Sequence, residues 1–277
     1  MTGPFVTAPN KYIVAANGVR YAYRTVGEGG SPPLVCLQHF TGTMDSWDPM
    51  VIDSLARNRK VVVFDNAGVG ASGGRTPDSV EQMTIDAEAF IDALCLGKVD
   101  LLGFSLGGFI AQLMAARRAV SVRKIIVAGS APQGGEEHLM QVVAEAFSDN
   151  ASDVRLPLFF TRSDQSQAAG RRFIERAAVR QEERDPESGD RISSAQATAI
   201  IAWCAADTGN NPHLQSIEQP TLIVHGSHDT MFPAVNAYEM FKRMRNATLI
   251  LYPDAGHGAL FQYPQRFSSH VDLFLTE

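Results

Sequence analysis

Ser105 stands in Gly103-Phe104-Ser105-Leu106-Gly107-Gly108, directly after an apolar run at residues 99–102 and directly before a helical pattern. A serine in G-x-S-x-G between a strand and a helix is a candidate nucleophile. The reason is steric. A sharp, strained turn lifts a hydroxyl out of a sheet only where the flanking positions lack side chains, as Gly103 and Gly107 do, and Gly108 lets the helix pack closely. A serine hydroxyl is a weak nucleophile, so it needs a base, and the base needs a third group that holds its tautomer and offsets its charge.

Seven histidines compete for the base. His257 lies in Asp254-Ala255-Gly256-His257-Gly258, a glycine-flanked loop after the last apolar strand, where a ring can reach across the carboxyl ends of the strands. His138 and His213 fall in a long insertion, His270 in the closing helix, His225 at a strand end and His228 beside an acid; His39 reads as a residue tying down its loop. The acid is assigned to Asp229, which follows the run at residues 221–224 through Gly226-Ser227-His228. Asp254 is its rival, but a side chain three residues before His257 on one loop tends to point away from it. Asp164 and Asp207 fall in the insertion and do not compete. Two amides are expected to hold the oxyanion: that of Leu106, the residue after the nucleophile, and that of Phe40 in Gln38-His39-Phe40-Thr41-Gly42.

These residues need a scaffold, and the hydrophobic patterning supplies one. Two β-prone runs at 12–15 and 19–25 flank Asn17-Gly18, which predicts a tight hairpin because both positions tolerate positive φ. Continuous apolar runs at 34–37, 60–64, 99–102 and 124–128 read as strands covered on both faces, hence a parallel sheet. Helical spacing between them (Val80, Met83, Ala87, Phe90, Ile91, Leu94, and Leu106, Phe109, Ile110, Leu113, Met114) predicts crossover helices. The rhythm stops after Ser130 and resumes at residues 221–225, with a last strand at 247–251 and a closing helix at 264–275.

The interruption reads as a helical cap. Leu139, Val142, Val143, Ala146 and Phe147 keep helical spacing, as do Ala197, Ile200, Ile201 and Cys204 behind Ser193 or Ser194 as N-cap. The charged stretch at 182–190 reads as a solvated turn, and Phe159, Phe160 and Trp203 as the cap's own small core. The expected organisation is therefore a core at 1–131 and 216–277 with a cap at 132–215.

The 277 residues are 45% hydrophobic and 19% charged, with a net charge of -6, values of a folded globular protein and a poor match for a nucleic-acid partner. No window reaches the ~18 apolar residues of a membrane span, and residues 1–10 lack a secretion signal, so a cytoplasmic location follows by default. Cys36, Cys95 and Cys204 are widely spaced and read as buried free thiols. Gly68-Val69-Gly70-Ala71-Ser72-Gly73 spells G-x-G-x-x-G, but no helix opens at once after it and Glu88 lies within a helical pattern, so no dinucleotide site is expected.

The motifs in this order make the chain similar to the α/β-hydrolase fold family over essentially its whole length. The resemblance implies an α/β fold with a mostly parallel eight-stranded sheet, helices on both faces and an inserted cap roofing the pocket. It also implies Ser105 as nucleophile, an acid after the seventh strand and a histidine after the eighth. Phe40 replaces the glycine that usually follows the histidine of the oxyanion loop, which should narrow the acyl side of the pocket. The family stretch Asp-x-x-Gly-x-Gly-x-Ser appears as Asp65-Asn66-Ala67-Gly68-Val69-Gly70-Ala71-Ser72, without its usual arginine. Ser105 excludes the relatives that carry an aspartate at the elbow, epoxide hydrolases and haloalkane dehalogenases. What the resemblance leaves is cofactor-independent, metal-free acyl chemistry on a small molecule: carboxylesterase, lactonase, C-C bond hydrolase or perhydrolase. A small or medium carboxylic ester is the expected substrate. A ligand-binding protein that kept the fold and lost turnover is the rival from another class, and no motif sets the oligomeric state.

Overall fold

The computed structural model describes residues 3–29, 32–117, 121–135, 139, 141–142, 153–206, 209 and 211–277. A four-residue helix, α1 (Pro4–Thr7), precedes the hairpin of β1 (Lys11–Val14) and β2 (Arg20–Val26). The hairpin closes on the Ala15 and Val19 pair with three residues between them; Ala15 N–H donates to Val19 O and Gly18 N–H to Ala15 O. Only Gly18 takes positive φ there, at +77°. The turn is thus a three-residue loop with a left-handed glycine rather than the expected two-residue Asn-Gly turn.

The remaining strands are β3 (Leu34–Leu37), β4 (Val61–Phe64), β5 (Val99–Phe104), β6 (Val122–Ala128), β7 (Thr221–Gly226) and β8 (Ala247–Tyr252). They form one sheet in the order β1-β2-β4-β3-β5-β6-β7-β8, with β3 to β8 parallel, β2 antiparallel to β4 and β1 antiparallel to β2. Each apolar run feeds two cores because side chains alternate across the pleat. Val35 and Leu37 of β3 enter one cluster, and Leu34 and Cys36 the other.

On the first face lie α3 (Val80–Ala93) and α4 (Leu106–Arg117), burying Phe90 and Phe109. On the second lie α2 (Pro49–Leu55) and the closing helix, which is α11 in chain order (Pro264–Thr276), burying Ile52 and Phe267. Among the described residues, the segment between β6 and β7 carries helices and no strand: α5 (Arg155–Phe159), α6 (Asp164–Ala177), α7 (Asp190–Ala205) and α8 (Pro212–Gln215). After β7 come α9 (Ala234–Arg243) and, following β8, α10 (Ala259–Gln262).

Several local expectations shift. Gly189, not Ser193 or Ser194, is the N-cap of α7; both serines lie inside the helix, and Ser193 Oγ donates back to Asp190 O. The charged stretch is not wholly solvated, since Asp185 is buried. Cys36 and Cys204 are buried, but Cys95 is exposed at positive φ just past α3. Val143, Ala146, Phe147, His138 and Asp207 lie outside the described residues. No described helix is long and apolar enough to cross a membrane.

Candidate active site

The carboxyl ends of the parallel strands bring the assigned residues to one edge of the sheet: Phe40 after β3, Ser105 after β5, Asp229 after β7 and His257 after β8. Ser105 takes φ +55°, left-handed and unusual for a residue with a Cβ. Its neighbours hold it there. Ser105 N–H donates to Ala128 O at 3.0 Å, while its carbonyl accepts from Gly108 N–H at 2.8 Å and from Ser130 Oγ at 3.0 Å. A Cβ at Gly103 would sit 2.3 Å from Gly107 O, and one at Gly107 only 2.1 Å from Leu37 O. The turn can be this sharp only with glycine at both places. The steric reading of the motif therefore holds atom by atom.

His257 Nδ1 lies 2.9 Å from Asp229 Oδ2. A carboxylate only accepts, so the proton is on Nδ1 and the lone pair on Nε2, the tautomer of a general base. The ring is buried and packed against Phe104, Phe159 and Phe232 at centroid distances of 5.1, 5.6 and 5.6 Å. Asp229 Oδ1 accepts from the backbone amides of Met231 at 2.9 Å and Phe232 at 3.0 Å. Burial alone would raise the carboxyl, but His257 and His225 hold it well below the ordinary aspartate range.

His225 is a participant that the sequence reading set aside as a strand end. Its Nε2 lies 3.2 Å from Asp229 Oδ2 and 2.6 Å from Phe232 O, so two histidines share one carboxylate oxygen. Burial opposes protonation of His225, and the Asp229 bond outweighs it, raising the ring above the ordinary histidine value. The signal was its i, i+4 spacing to Asp229 across the end of β7. Asp254, the rival acid, points elsewhere: its carboxylate takes Ser163 Oγ at 2.6 Å and Thr161 Oγ1 at 2.7 Å.

Ser105 and His257 bound the same cavity, of about 380 Å³, together with His39, Phe40, Phe159 and Met231. Phe159, expected as cap core, is buried as well as cavity-lining. Leu106 buries its side chain in the core and opens α4, where its amide has no carbonyl at the helical spacing before it. His39 does tie its loop down: Nδ1 donates to Phe40 O at 2.8 Å. Burial pushes this ring down to about 3, with Arg155 and His257 adding to the effect, so it stays neutral. The residues that line the cavity also include Asp45, Asp153, Arg155 and Asp185. The sequence reading found none of these four.

Residues 32–264 match a family model described as alpha/beta hydrolase fold. A solved structure described as an alpha/beta hydrolase fold protein from Chitinophaga pinensis superposes with a TM-score of 0.92 at 43% identity, covering 98% of each chain. The pimeloyl-(acyl-carrier protein) methyl ester esterase of Nitrosomonas europaea is 27% identical over 88% of this chain and 96% of its own length. The 3-oxoadipate enol-lactonase 2 of Acinetobacter baylyi is 23% identical over 96% of both chains.

Proposed function

The chain belongs to the α/β-hydrolase fold family, and from that premise we propose that it is a serine hydrolase cleaving a small or medium carboxylic ester through an acyl-enzyme. The observation that carries this reading is the pairing of a left-handed Ser105 with His257 on one cavity, where His257 Nδ1 is bound at 2.9 Å to a buried Asp229. Similarity to an esterase and an enol-lactonase, both acting on an acyl-oxygen bond, supports the same chemistry.

In this reading His257 Nε2 takes the Ser105 proton as Oγ adds to the ester carbonyl. The oxyanion is held by the amides of Phe40 and Leu106, and His257 then protonates the leaving alcohol. Water, activated by the same nitrogen, releases the acid and restores the serine. Asp229 keeps the ring's tautomer and offsets the imidazolium charge. Residues 132–215 act as the cap over the pocket. The cavity suits a compact ligand, near the lower end of ordinary ligand pockets.

The test is hydrolysis of p-nitrophenyl esters from acetyl to dodecanoyl by the wild type and by Ser105→Ala. The variant should lose at least ~10³-fold in turnover, and a fluorophosphonate should label the wild type only. A Ser105→Ala protein that keeps most of its activity would overturn the serine mechanism. A folded wild type that neither hydrolyses nor labels would point to a binding protein.

A further inference from the structure

The loop that carries Phe40 is held from outside itself. His39 N–H donates to Gln38 Oε1 at 3.0 Å, Thr41 N–H to Gln196 Oε1 at 2.6 Å and Gly42 N–H to His39 O at 3.0 Å. Between these spent amides the Phe40 N–H has no acceptor among the described residues. The N–H and C=O of one trans peptide point in opposite directions, so turning His39 O towards Gly42 turns the Phe40 N–H the other way. The next peptide is fixed at both ends, for its Phe40 O accepts from His39 Nδ1 at 2.8 Å and from Thr41 Oγ1 at 2.7 Å. Thr41 takes φ +58°, a left-handed conformation that is unfavourable for a residue with a Cβ and has to be maintained by its neighbours. Two of its ties come from the segment between β6 and β7: Gln196 of α7 on its N–H, and Ser188, just before α7, whose Oγ donates to Thr41 O at 2.8 Å.

We propose that Gln196 is a positioning residue of the oxyanion hole: from α7 it fixes the peptide after Phe40 and so holds the Phe40 amide at the angle the oxyanion needs. The inference deepens the ester-hydrolase reading and rests on it. Phe40, Thr41 and Ser188 line the cavity with Ser105, whereas Gln196 stands behind them and acts through Thr41. Its surroundings argue for a dedicated role. Gln196 is 0% exposed, and the bond from Thr41 is its one hydrogen bond among the described residues, since Nε2 has no partner there. A buried amide half satisfied is costly where an apolar side chain of similar length would fill the same space. The bond also settles which end faces the loop, because an N–H donor requires the oxygen. In the sequence Gln196 is the polar member of a buried stripe that continues as Ala199, Ile200, Trp203 and Cys204, which is the signal such a residue leaves on an apolar helix face.

The test is Gln196→Met, which keeps the length of the side chain and removes the acceptor. The oxyanion forms only after the ground state, so kcat/KM on the preferred p-nitrophenyl ester should fall by ~10-fold or more per folded enzyme, part of the ~10² to 10³ that one oxyanion donor supplies. The inhibition constant of a trifluoromethyl ketone of matching chain, which Ser105 Oγ converts to a tetrahedral oxyanion, should rise by a similar factor. Binding of the intact ester to Ser105→Ala should change by less than about threefold when Gln196→Met is added. Ser188→Ala, which removes the second tie at a half-buried site, should lower kcat/KM in the same way by ~3-fold or more; it takes the place of Gln196→Met if that chain does not fold. Full kcat/KM and unchanged ketone inhibition, with only the melting temperature lowered, would make Gln196 a packing residue and overturn the proposal. Equal losses in ester and ketone binding would overturn it too, because the contact would then serve ground state and transition state alike. A wild type that hydrolyses no ester would sink the hydrolase reading instead. Amide hydrogen exchange then decides the tie alone: the Thr41 N–H should exchange ~10-fold faster or more in the folded variant, and unchanged exchange overturns it.

Discussion

Asp229 illustrates how much one side chain can be asked to do. Its Oδ1 is held by two backbone amides of its own loop, and its Oδ2 meets His257 and His225. The first pair fixes where the carboxylate sits, and the second makes its charge favourable despite full burial. Asp229→Asn keeps the shape but can present an amide N–H to His257, which then loses the tautomer needed at Nε2. Turnover should fall by on the order of 10³ to 10⁴ at unchanged fluorophosphonate access to the pocket, the loss known for this change in other serine triads. A variant within tenfold of wild type would show that Asp229 is not the group that orients His257. The triad candidates were legible because they stand at strand ends next to glycines. His225 was not, since its partner is found only once β7 and the loop behind it are folded.

At the scale of elements, the histidine loop is fastened to the helices that interrupt the sheet. Asp254, in left-handed conformation at φ +47°, bonds Thr161 and Ser163 at the start of α6, and Gly258 N–H donates to Phe159 O at 2.9 Å. A Cβ at Gly256 would lie 2.8 Å from Phe159 O, a backbone atom that cannot swing aside. Gly256→Ala should therefore move the loop that carries His257, lowering kcat more than it lowers the melting temperature; an unchanged kcat would mean the loop is not set by this contact. Gly107→Ala, whose Cβ would meet Leu37 O at 2.1 Å, should instead cost about 3 kcal/mol or more in denaturant unfolding. The strands and crossover helices were readable because their apolar runs are long and unbroken. Helix α6 was not, for its buried stripe is Ser166, Ala169, Gly170, Phe173 and Ala177. The spacing is helical, but apart from Phe173 the residues are too small to register as hydrophobic. Likewise the start of α7 falls at Gly189, which offers no side-chain cap to recognise.

For the whole molecule, the segment between β6 and β7 is bound to the sheet at separated points, which argues for one cooperative unit. Arg176 grips Asp48 through Nε at 2.8 Å and through Nη2, and Asp185 joins Arg24 and Asp45 beneath the hairpin. Both arginine partners are buried acids, so these contacts are less screened than surface pairs. The second junction has a pH signature. With burial and the nearby Asp65 and Asp45 lifting Asp185 from 3.8 to about 8, the folded chain holds a proton that the unfolded chain has released throughout that window. Stability from this group is therefore complete below about pH 4 and declines as pH rises towards about 8, beyond which it is level. Asp185→Asn carries no such proton in either state. The difference in melting temperature, variant minus wild type, should rise steadily between those two pH values and then flatten, with a single unfolding transition at each pH. Parallel curves across the window would show that Asp185 titrates normally in the folded chain.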